Sequence, residues 1–372
     1  MTRRADAERF MRLAIREAEK GLGRTSPNPA VGAVIVRGGR VVARGHHARA
    51  GAPHAEAAAL AAAGRRARGA ELYTTLEPCD HQGRTPPCSA AILSAGIRRV
   101  FVGSHDPNPV VNGKGIARLA AGGVEVVEDV LRRECDALNA HWFRFITARR
   151  PFVTLKAAVS LDGKLATATG DSRWVSGPEA RARVHQLRDR VDAVLVGAGT
   201  ARADDPRLTT RLPSGGGRDA VRVVLDTDLS LPASLRLFRQ RSTAPTIVAH
   251  ASTRGRRLGP NVELLRCRRG RGGVDLADLL KRLGERGVTH LLVEGGAAVH
   301  GAFLRAGLAD RVALFIAPRL VGGDGLSWVG GAGVRRMADA LRLEDVEVEE
   351  VGGDLLVTGA PAGALASRRR RD

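Results

Sequence analysis

Hydrophobic and polar positions along the N-terminal part of the chain switch between a helical and an alternating period, and the switches mark elements. Phe10, Leu13, Ala14, Glu17 and Ala18 keep helical spacing, so residues 6–21 predict a helix that Gly21 and Gly23 close. Residues 31–36 and 40–44 are short β-rich runs about Gly38-Gly39 and predict a hairpin. Residues 54–63 hold no β-branched residue and no proline, which predicts a second helix. Residues 72–76 predict a strand running into Glu77-Pro78-Cys79. Residues 88–95 predict a third helix, ended by Gly96, and 99–103 another strand. Helix, hairpin, helix, strand, helix, strand is the order of a compact α/β unit of about 145 residues, an ordinary domain size.

The pattern restarts after Ala148-Arg149-Arg150-Pro151. Residues 151–156, 192–197, 222–226, 246–249 and 290–294 read as strands, and 178–190 and 276–285 as helices between them. Strand–helix alternation predicts a mostly parallel sheet. Residues 312–318 and the alternating stretch 344–358 are expected to add edge strands. There is no internal repeat. The charge run Arg368–Arg371 follows a Pro/Gly/Ala segment and reads as a disordered tail over 361–372.

Length changes this picture little: 372 residues suit two domains with a core each. Charge adds more. The formal net charge of +20 raises nucleic acid as a partner, but the positive residues are mostly arginines spread along the chain and aromatics are only 3%. Stacking platforms for bases are therefore scarce, and a positive field suits small phosphorylated substrates equally well. No run of about 18 apolar residues exists, so no membrane span is expected. Nor does Met1-Thr-Arg-Arg-Ala-Asp resemble a signal peptide. A reducing cytoplasm is the expected compartment, with thiols free for metal rather than disulfides. Cys135 and Cys267 lack ligand-like neighbours and read as ordinary buried thiols.

The chemistry concentrates at His54-Ala55-Glu56, Pro78-Cys79 and Cys88. One histidine and two cysteines are zinc-ligand types, and H-x-E followed by P-C and a second cysteine is the zinc nucleobase-deaminase signature. His54 and Glu56 fall in the first turn of one expected helix, and Cys79 and Cys88 bracket the loop into another. Two positive helix ends then favour thiolate and hydroxide. Three protein ligands leave zinc a position for water. A purely structural zinc would need a fourth ligand, His81 or another histidine, and would give Glu56 no task.

The spacing between the cysteines, Cys79-Asp80-His81-Gln82-Gly83-Arg84-Thr85-Pro86-Pro87-Cys88, is longer than the usual C-x-x-C. With it the segment is similar to the cytidine-deaminase-like superfamily and resembles the bifunctional deaminase/reductase of riboflavin biosynthesis. Ser26-Pro27-Asn28-Pro29-Ala30-Val31-Gly32, Gly45-His46-His47 before Pro53-His54, and Asp106-Pro107-Asn108-Pro109 with Asn112-Gly113-Lys114-Gly115 resemble the same family. So do Ser160-Leu161-Asp162-Gly163-Lys164, Gly170-Asp171-Ser172-Arg173-Trp174, the stretch 196–208, and Val293-Glu294-Gly295-Gly296. The resemblance covers residues 5–360.

It implies a cytidine-deaminase-like α/β/α domain over 1–148 and a dihydrofolate-reductase-like α/β domain over 151–360. His54, Cys79 and Cys88 would bind Zn2+. Glu56 would take the proton of the metal-bound water and pass protons to the ring nitrogen and the leaving ammonia. Asn28 would hydrogen-bond the base, and His47, Asp106 and Asn108 are candidates for the ribose or phosphate end. Each of these four could instead fix a loop, since Asn and Asp commonly cap turns. In the second half Ala158, Trp174, Thr200, Asp204, Thr227 and the turn Gly296-Ala297-Ala298-Val299-His300-Gly301 would contact NADPH. Ser172, Arg188, Leu208, Arg211 and Glu294 would contact a phosphoribosyl pyrimidine; guanidinium suits a phosphate monoester. By the same resemblance the first half would deaminate 2,5-diamino-6-(5-phosphoribosylamino)pyrimidin-4-one and the second would reduce the ribosyl side chain to ribityl. Asp80, Gln82 and Asn112 depart from the family pattern without touching the zinc set. Asp226 and Asp228, near the expected cofactor ribose, bear on the preference for a 2′-phosphate. The rival reading is a tRNA-editing deaminase with an accessory RNA-binding domain, motivated by the charge. The sequence leaves the oligomeric state open, a homo-oligomer included.

Overall fold

The computed structural model describes residues 4–82 and 86–363. Gly83-Arg84-Thr85 of the inter-cysteine loop and the arginine run Arg368–Arg371 lie outside the described residues. The chain divides into two compact units between Arg149 and Arg150.

The first unit is a five-stranded sheet between helices. In chain order it comprises α1 (Arg4–Glu19), β1 (Gly32–Arg37), β2 (Arg40–His46), α2 (Ala55–Ala63), β3 (Glu71–Thr74), α3 (Cys88–Ser94), β4 (Arg99–Val102), α4 (Lys114–Ala121), β5 (Glu125–Val127), α5 (Arg132–Leu138) and α6 (Ala140–Ala148). The strand order is β2-β1-β3-β4-β5. β1 is antiparallel to both neighbours, and β3, β4 and β5 are parallel. Alternation along β1 explains the layering. Ala33 and Ile35 pack with Ala55, Ala59, Ile92 and Trp142 on one face. Val34 and Val36 pack with Phe10, Met11 and Tyr73 on the other. α4, β5, α5 and α6 went unpredicted; these segments are short or carry mixed residues whose period is weak.

Two glycines let helices touch the sheet. A methyl at Gly32 would stand 2.0 Å from the Ala14 carbonyl oxygen of α1. A methyl at Gly45 would stand 2.4 Å from the Ala55 carbonyl and 2.5 Å from the Ala59 nitrogen of α2. Small residues on α2 (Ala55, Ala59 and Ala63, all buried) complete this close packing.

The second unit has a nine-stranded sheet. Its order is Val262–Arg266, Thr246–His250, Val221–Leu225, Ala193–Gly197, His290–Gly295, Phe152–Ser160, Arg311–Ala317, Asp354–Pro361, Leu343–Val351. The first seven strands are parallel, and the last two join antiparallel as a hairpin. Helices Pro178–Arg190 and Leu276–Glu285 have the bounds that their periodicity predicts. The expectation of edge strands needs correcting. Arg311–Ala317 is interior, buried between Phe152–Ser160 and Asp354–Pro361. The alternating stretch is two strands folded at Gly352-Gly353, and only its first strand forms an edge. The last strand also extends through Pro361, one residue into the expected tail.

Because Gly45 faces helix backbone rather than a pliable side chain, Gly45→Val should displace α2. Overpacking of this kind costs about 1–3 kcal/mol. A urea unfolding curve should show that loss, and zinc content should fall with it because α2 begins directly after His54, an expected ligand. Unchanged stability and zinc content would contradict this account of the packing.

Candidate active site

His54 stands at the N-cap of α2 in extended conformation, and its side chain makes no capping hydrogen bond. Its carbonyl starts the helix by accepting from Ala58 at 2.9 Å, which leaves the imidazole free. Cys88 is the first residue of α3, and the next N–H, of Ser89, donates to the Cys79 carbonyl at 3.2 Å. That bond carries the loop after β3 onto the start of α3 and brings both sulfurs together. His54 Nδ1 lies 3.6 Å from Cys79 Sγ and 3.3 Å from Cys88 Sγ. The three donor atoms fall within 4.8 Å of one another. Hydrogen bonding with Cys88 pulls the Cys79 thiol down to about 4, against burial and with help from His54, while Cys88 is pushed up. Glu56 is buried, and burial with the neighbouring Cys79 pushes its carboxyl up to about 7.

A cavity of about 220 Å³ opens on this cluster, lined among others by Asn28, His47, His54, Glu56, Cys79, Asp106, Asn108 and Trp142. All four expected substrate residues of this unit therefore reach it. Their bonding separates their roles. His47 Nδ1 faces the Pro53 carbonyl at 3.0 Å, and Nε2 faces Asn28 Nδ2 at 3.1 Å. A carbonyl only accepts, so Nδ1 carries the hydrogen and Nε2 accepts from the Asn28 amide. Burial lowers the His47 pKa, in keeping with a neutral ring. Both nitrogens are engaged, so His47 holds Asn28 in place at the cavity wall. Asp106 Oδ1 accepts from Asn108 N at 2.7 Å, and Asn108 Oδ1 from Val110 N at 3.2 Å, so both residues fix their loop as well as lining the cavity. Burial pushes Asp106 up to about 7.

In the second unit the strands His290–Gly295 and Ala193–Gly197 are neighbours, and each ends in a glycine before a helix, Ala297–Arg305 and Ala198–Asp204. A methyl on Gly296 would stand 2.8 Å from Thr200 Oγ1, so the two turns meet closely. Gly296, Val299 and Thr200 are half-buried and Ala298 is exposed, whereas Ala297, His300 and Gly301 are buried. His300 directs its ring nitrogens at the Trp328 and Val293 carbonyls at 3.2 and 3.3 Å, and a methyl on Gly301 would stand 1.9 Å from the Gly330 oxygen. All three are enclosed by protein. Ala158 is half-buried on Phe152–Ser160, and Trp174 is 63% exposed with the Arg181 guanidinium 4.8 Å from its ring centre. Asp204 is exposed at the end of its helix, and the Thr227 hydroxyl accepts from Val274 N at 3.2 Å.

The substrate residues expected here also sort. Arg188 grips Glu294 with two bonds of 2.6 and 2.8 Å and donates a third to the Thr209 carbonyl at 3.0 Å. Burial alone would push Glu294 up, but Arg188 and Lys156 hold it down at about 2. The guanidinium expected to clamp phosphate is thus already paired. Arg211 is exposed beside it, bonded to Thr209 Oγ1 at 2.8 Å. The Leu208 side chain is 4% exposed, in a core cluster with Val196 and Ala201, which leaves its backbone as the part that could meet a ligand. Ser172 is half-buried, and its carbonyl closes a turn with Val175 N.

Two family models match. The cytidine and deoxycytidylate deaminase zinc-binding region matches residues 4–104, and the RibD C-terminal domain matches residues 151–357. The riboflavin biosynthesis protein RibD of Actinobacillus pleuropneumoniae is 43% identical over 94% of this chain and 93% of its own length. That of Aquifex aeolicus is 44% identical over 94% and 96%. The crystal structure of a diaminohydroxyphosphoribosylaminopyrimidine deaminase/5-amino-6-(5-phosphoribosylamino)uracil reductase from Thermotoga maritima superposes with a TM-score of 0.87 at 40% identity, over 96% of this chain and 99% of that one. Acinetobacter baumannii RibD gives 0.86 at 34% identity, over 97% and 100%.

The chain belongs to the RibD family. As a RibD-family protein it is a bifunctional deaminase and reductase of riboflavin biosynthesis, with a cytidine-deaminase-like first unit. Matches spanning both units set aside the tRNA-editing reading. The deaminase unit fits zinc on its own chemistry: two sulfurs and an imidazole converge, and three protein ligands are the number of a catalytic site. His81 lines the cavity but stands outside the cluster, so among the described residues no fourth ligand makes the site structural.

Three residues of this RibD-family site escaped the sequence reading. Asn139, fully buried between α5 and α6, exchanges two 2.9 Å bonds with the Ala30 backbone and pins the loop bearing Asn28. Glu77 collects backbone donors from the loop bearing Asp106. Lys156, on Phe152–Ser160, has its pKa lowered by burial and partly restored by Glu294. Only Lys156 left a signal: a lone charge inside an apolar strand. Metal analysis should give one zinc per chain, and Cys88→Ser should lose most of it; retention of full zinc by that variant would remove Cys88 from the ligand set.

Proposed function

We propose that His54, Cys79 and Cys88 hold Zn2+ in the first unit and that Glu56 is its proton carrier, acting on a phosphoribosyl diaminopyrimidine. The observation that carries this reading is the convergence of the three metal donors and a buried carboxyl on one cavity walled by Asn28. When bound, zinc supplies an activated water, and the nicotinamide cofactor of the second unit supplies the reducing equivalent. Glu56, with a carboxyl near neutrality, suits both taking and returning a proton at its carboxylate oxygens, to the ring nitrogen and then to the departing ammonia. Asn28, oriented by the one amide N–H it donates to His47, presents Oδ1 as an acceptor for a ring or amino N–H. Asp106 and Asn108 border the place left for the sugar.

For the second unit we read Thr200, Gly296, Ala298 and Val299 as holding cofactor phosphates, with the close glycine approach and the start of Ala297–Arg305 as the cradle. Ala158, Trp174, Asp204 and Thr227 complete the proposed cofactor surface. NADPH is favoured over NADH by the fate of the two acids in question. The Asp226 carboxylate is buried and consumed by Ser230 N, Ser230 Oγ and Leu231 N at 2.9, 3.0 and 2.9 Å. Asp228 pairs with Arg269. Asp226 thus offers no free carboxylate to a ribose diol, which is the usual mark of an NAD site, and Arg269 offsets the charge of Asp228. Lys156, Arg211 and the Arg188–Glu294 pair would receive the phosphoribosyl uracil. No helix among the described residues is long and apolar enough to cross a membrane, and we read the compartment as cytoplasmic.

Separate assays of the two steps test this. Glu56→Gln should lower deamination by at least about 100-fold, within the range for a lost acid–base group, with zinc retained and reduction of pre-deaminated substrate unchanged. Near-normal deamination would remove Glu56 from its role. Gly296→Val should weaken NADPH binding, read by fluorescence titration, while ammonia release continues. If each variant loses both steps while folded, the two sites are not independent.

A further inference from the structure

Glu77 is buried at 3% exposure, two residues before the ligand Cys79, and no step above uses it. Its carboxylate collects three backbone donors from one distant segment. Oε2 accepts from Asp106 N at 3.3 Å and Gly113 N at 3.0 Å, and Oε1 from Gly115 N at 3.2 Å. Its own N–H donates to the Ser104 carbonyl at 2.9 Å. Gly113 is the N-cap of α4, which has no side-chain cap of its own. The orphan donors at the start of that helix are therefore met from 36 and 38 residues upstream. A negative group at a helix N-terminus, bonded to several N–H groups, is favoured by both charge and geometry.

The contact is tight on the chain side too. A methyl at Gly115 would lie 1.8 Å from the Pro78 carbonyl oxygen, so α4 begins flush against the Glu77-Pro78 backbone. From Glu77 the bonds run on in series: Asp106 Oδ1 takes Asn108 N, and Asn108 Oδ1 takes Val110 N. The wall of the cavity is a cascade of side-chain acceptors with Glu77 at its root.

We propose that Glu77 is a positioning residue of deamination: it folds residues 104–115 onto the segment that carries the metal ligand Cys79, and so sets Asp106 and Asn108 at the substrate's sugar end. The inference rests on the deaminase reading above. It makes the distance between metal cluster and sugar-binding wall a property of one carboxylate. Glutamine keeps the shape but places an amide N–H₂ where backbone N–H groups already point, so at least one bond of the three is lost.

The test compares wild type, Glu77→Gln and Gly115→Ala, each as full-length zinc-loaded enzyme. Deamination is followed with the phosphoribosyl diaminopyrimidine, and amide hydrogen exchange is followed over 104–115. Both variants should raise KM about tenfold or more with a smaller change in kcat. Exchange should quicken at Asp106, Gly113 and Gly115, and reduction of pre-deaminated substrate should be untouched. A fall in kcat at unchanged KM, with the amides still protected, would make Glu77 a direct participant and overturn the proposal. So would normal KM in both variants. Should Glu77→Gln fail to fold or to take zinc, Gly115→Ala decides, since it moves the same segment and leaves the carboxylate intact. Absence of deamination in wild type would count against the function itself, while the exchange data would still judge the positioning.

Discussion

Backbone-to-backbone contact between α2 and β2 at Gly45 sets the place of everything in the first unit. With no side chain between them, the helix has a single depth at which it can lie on the strand. His54 and Glu56 belong to the start of that helix and inherit its position. β3 supplies the other reference, since the chain leaves it through Glu77 and Pro78 to Cys79, and the Ser89–Cys79 bond ties α3 to the same point. A zinc-type cluster needs its donors placed to a few tenths of an ångström. Here that tolerance is delivered by main-chain contacts, which move less than packed side chains.

The second unit meets a similar demand differently. The groups proposed for cofactor and substrate sit at the carboxyl ends of parallel strands, where open α/β sheets place ligands. Adjacent strands Ala193–Gly197, His290–Gly295 and Phe152–Ser160 bring Thr200, Glu294 and Lys156 to one region because parallel register aligns their ends. The buried Arg188–Glu294 pair then holds a charged carboxylate that burial alone would neutralise. Breaking such a pair leaves an uncompensated charge, a loss of about 3–5 kcal/mol. Arg188 therefore matters to the site whether or not it ever touches phosphate.

Much of this was legible in the sequence, for reasons that differ by element. His54, Glu56, Cys79 and Cys88 announce themselves because a metal site restricts residue type and spacing together. Helices Pro178–Arg190 and Leu276–Glu285 were readable because proline or a capping aspartate marks the start and the apolar period is regular. What stayed hidden was pairing between distant residues. Arg188 reads as a phosphate ligand, with no sign in the sequence that Glu294 lies against it. His47 reads as a candidate sugar contact, with no sign in the sequence that its nitrogens meet Asn28 and Pro53. Leu208 carries a motif position but buries its side chain. Asn139 and Glu77 look like surface polar residues, since nothing local reveals that backbone donors from 109, 29, 36 and 38 residues away will find them.

The hidden residues share a physical role. Asn139, Glu77 and His47 are each engaged by protein groups distant in sequence. A ligand-binding group must keep an unsatisfied atom toward the cavity, whereas a positioning group must keep none. Counting the remaining capacity separates them by degree: Asn28 keeps its oxygen and one amide N–H, His47 has both nitrogens engaged, and Arg188 has three of its five N–H groups engaged. Glu56 is the instructive intermediate. It is buried without the cation that holds Glu294 ionised, so burial raises it toward neutrality, where a carboxyl exchanges protons most readily. Glu294, equally enclosed, is fixed in one charge state by Arg188 and Lys156. Glu56 and Glu294 thus differ in charge state through the absence or presence of a neighbouring guanidinium.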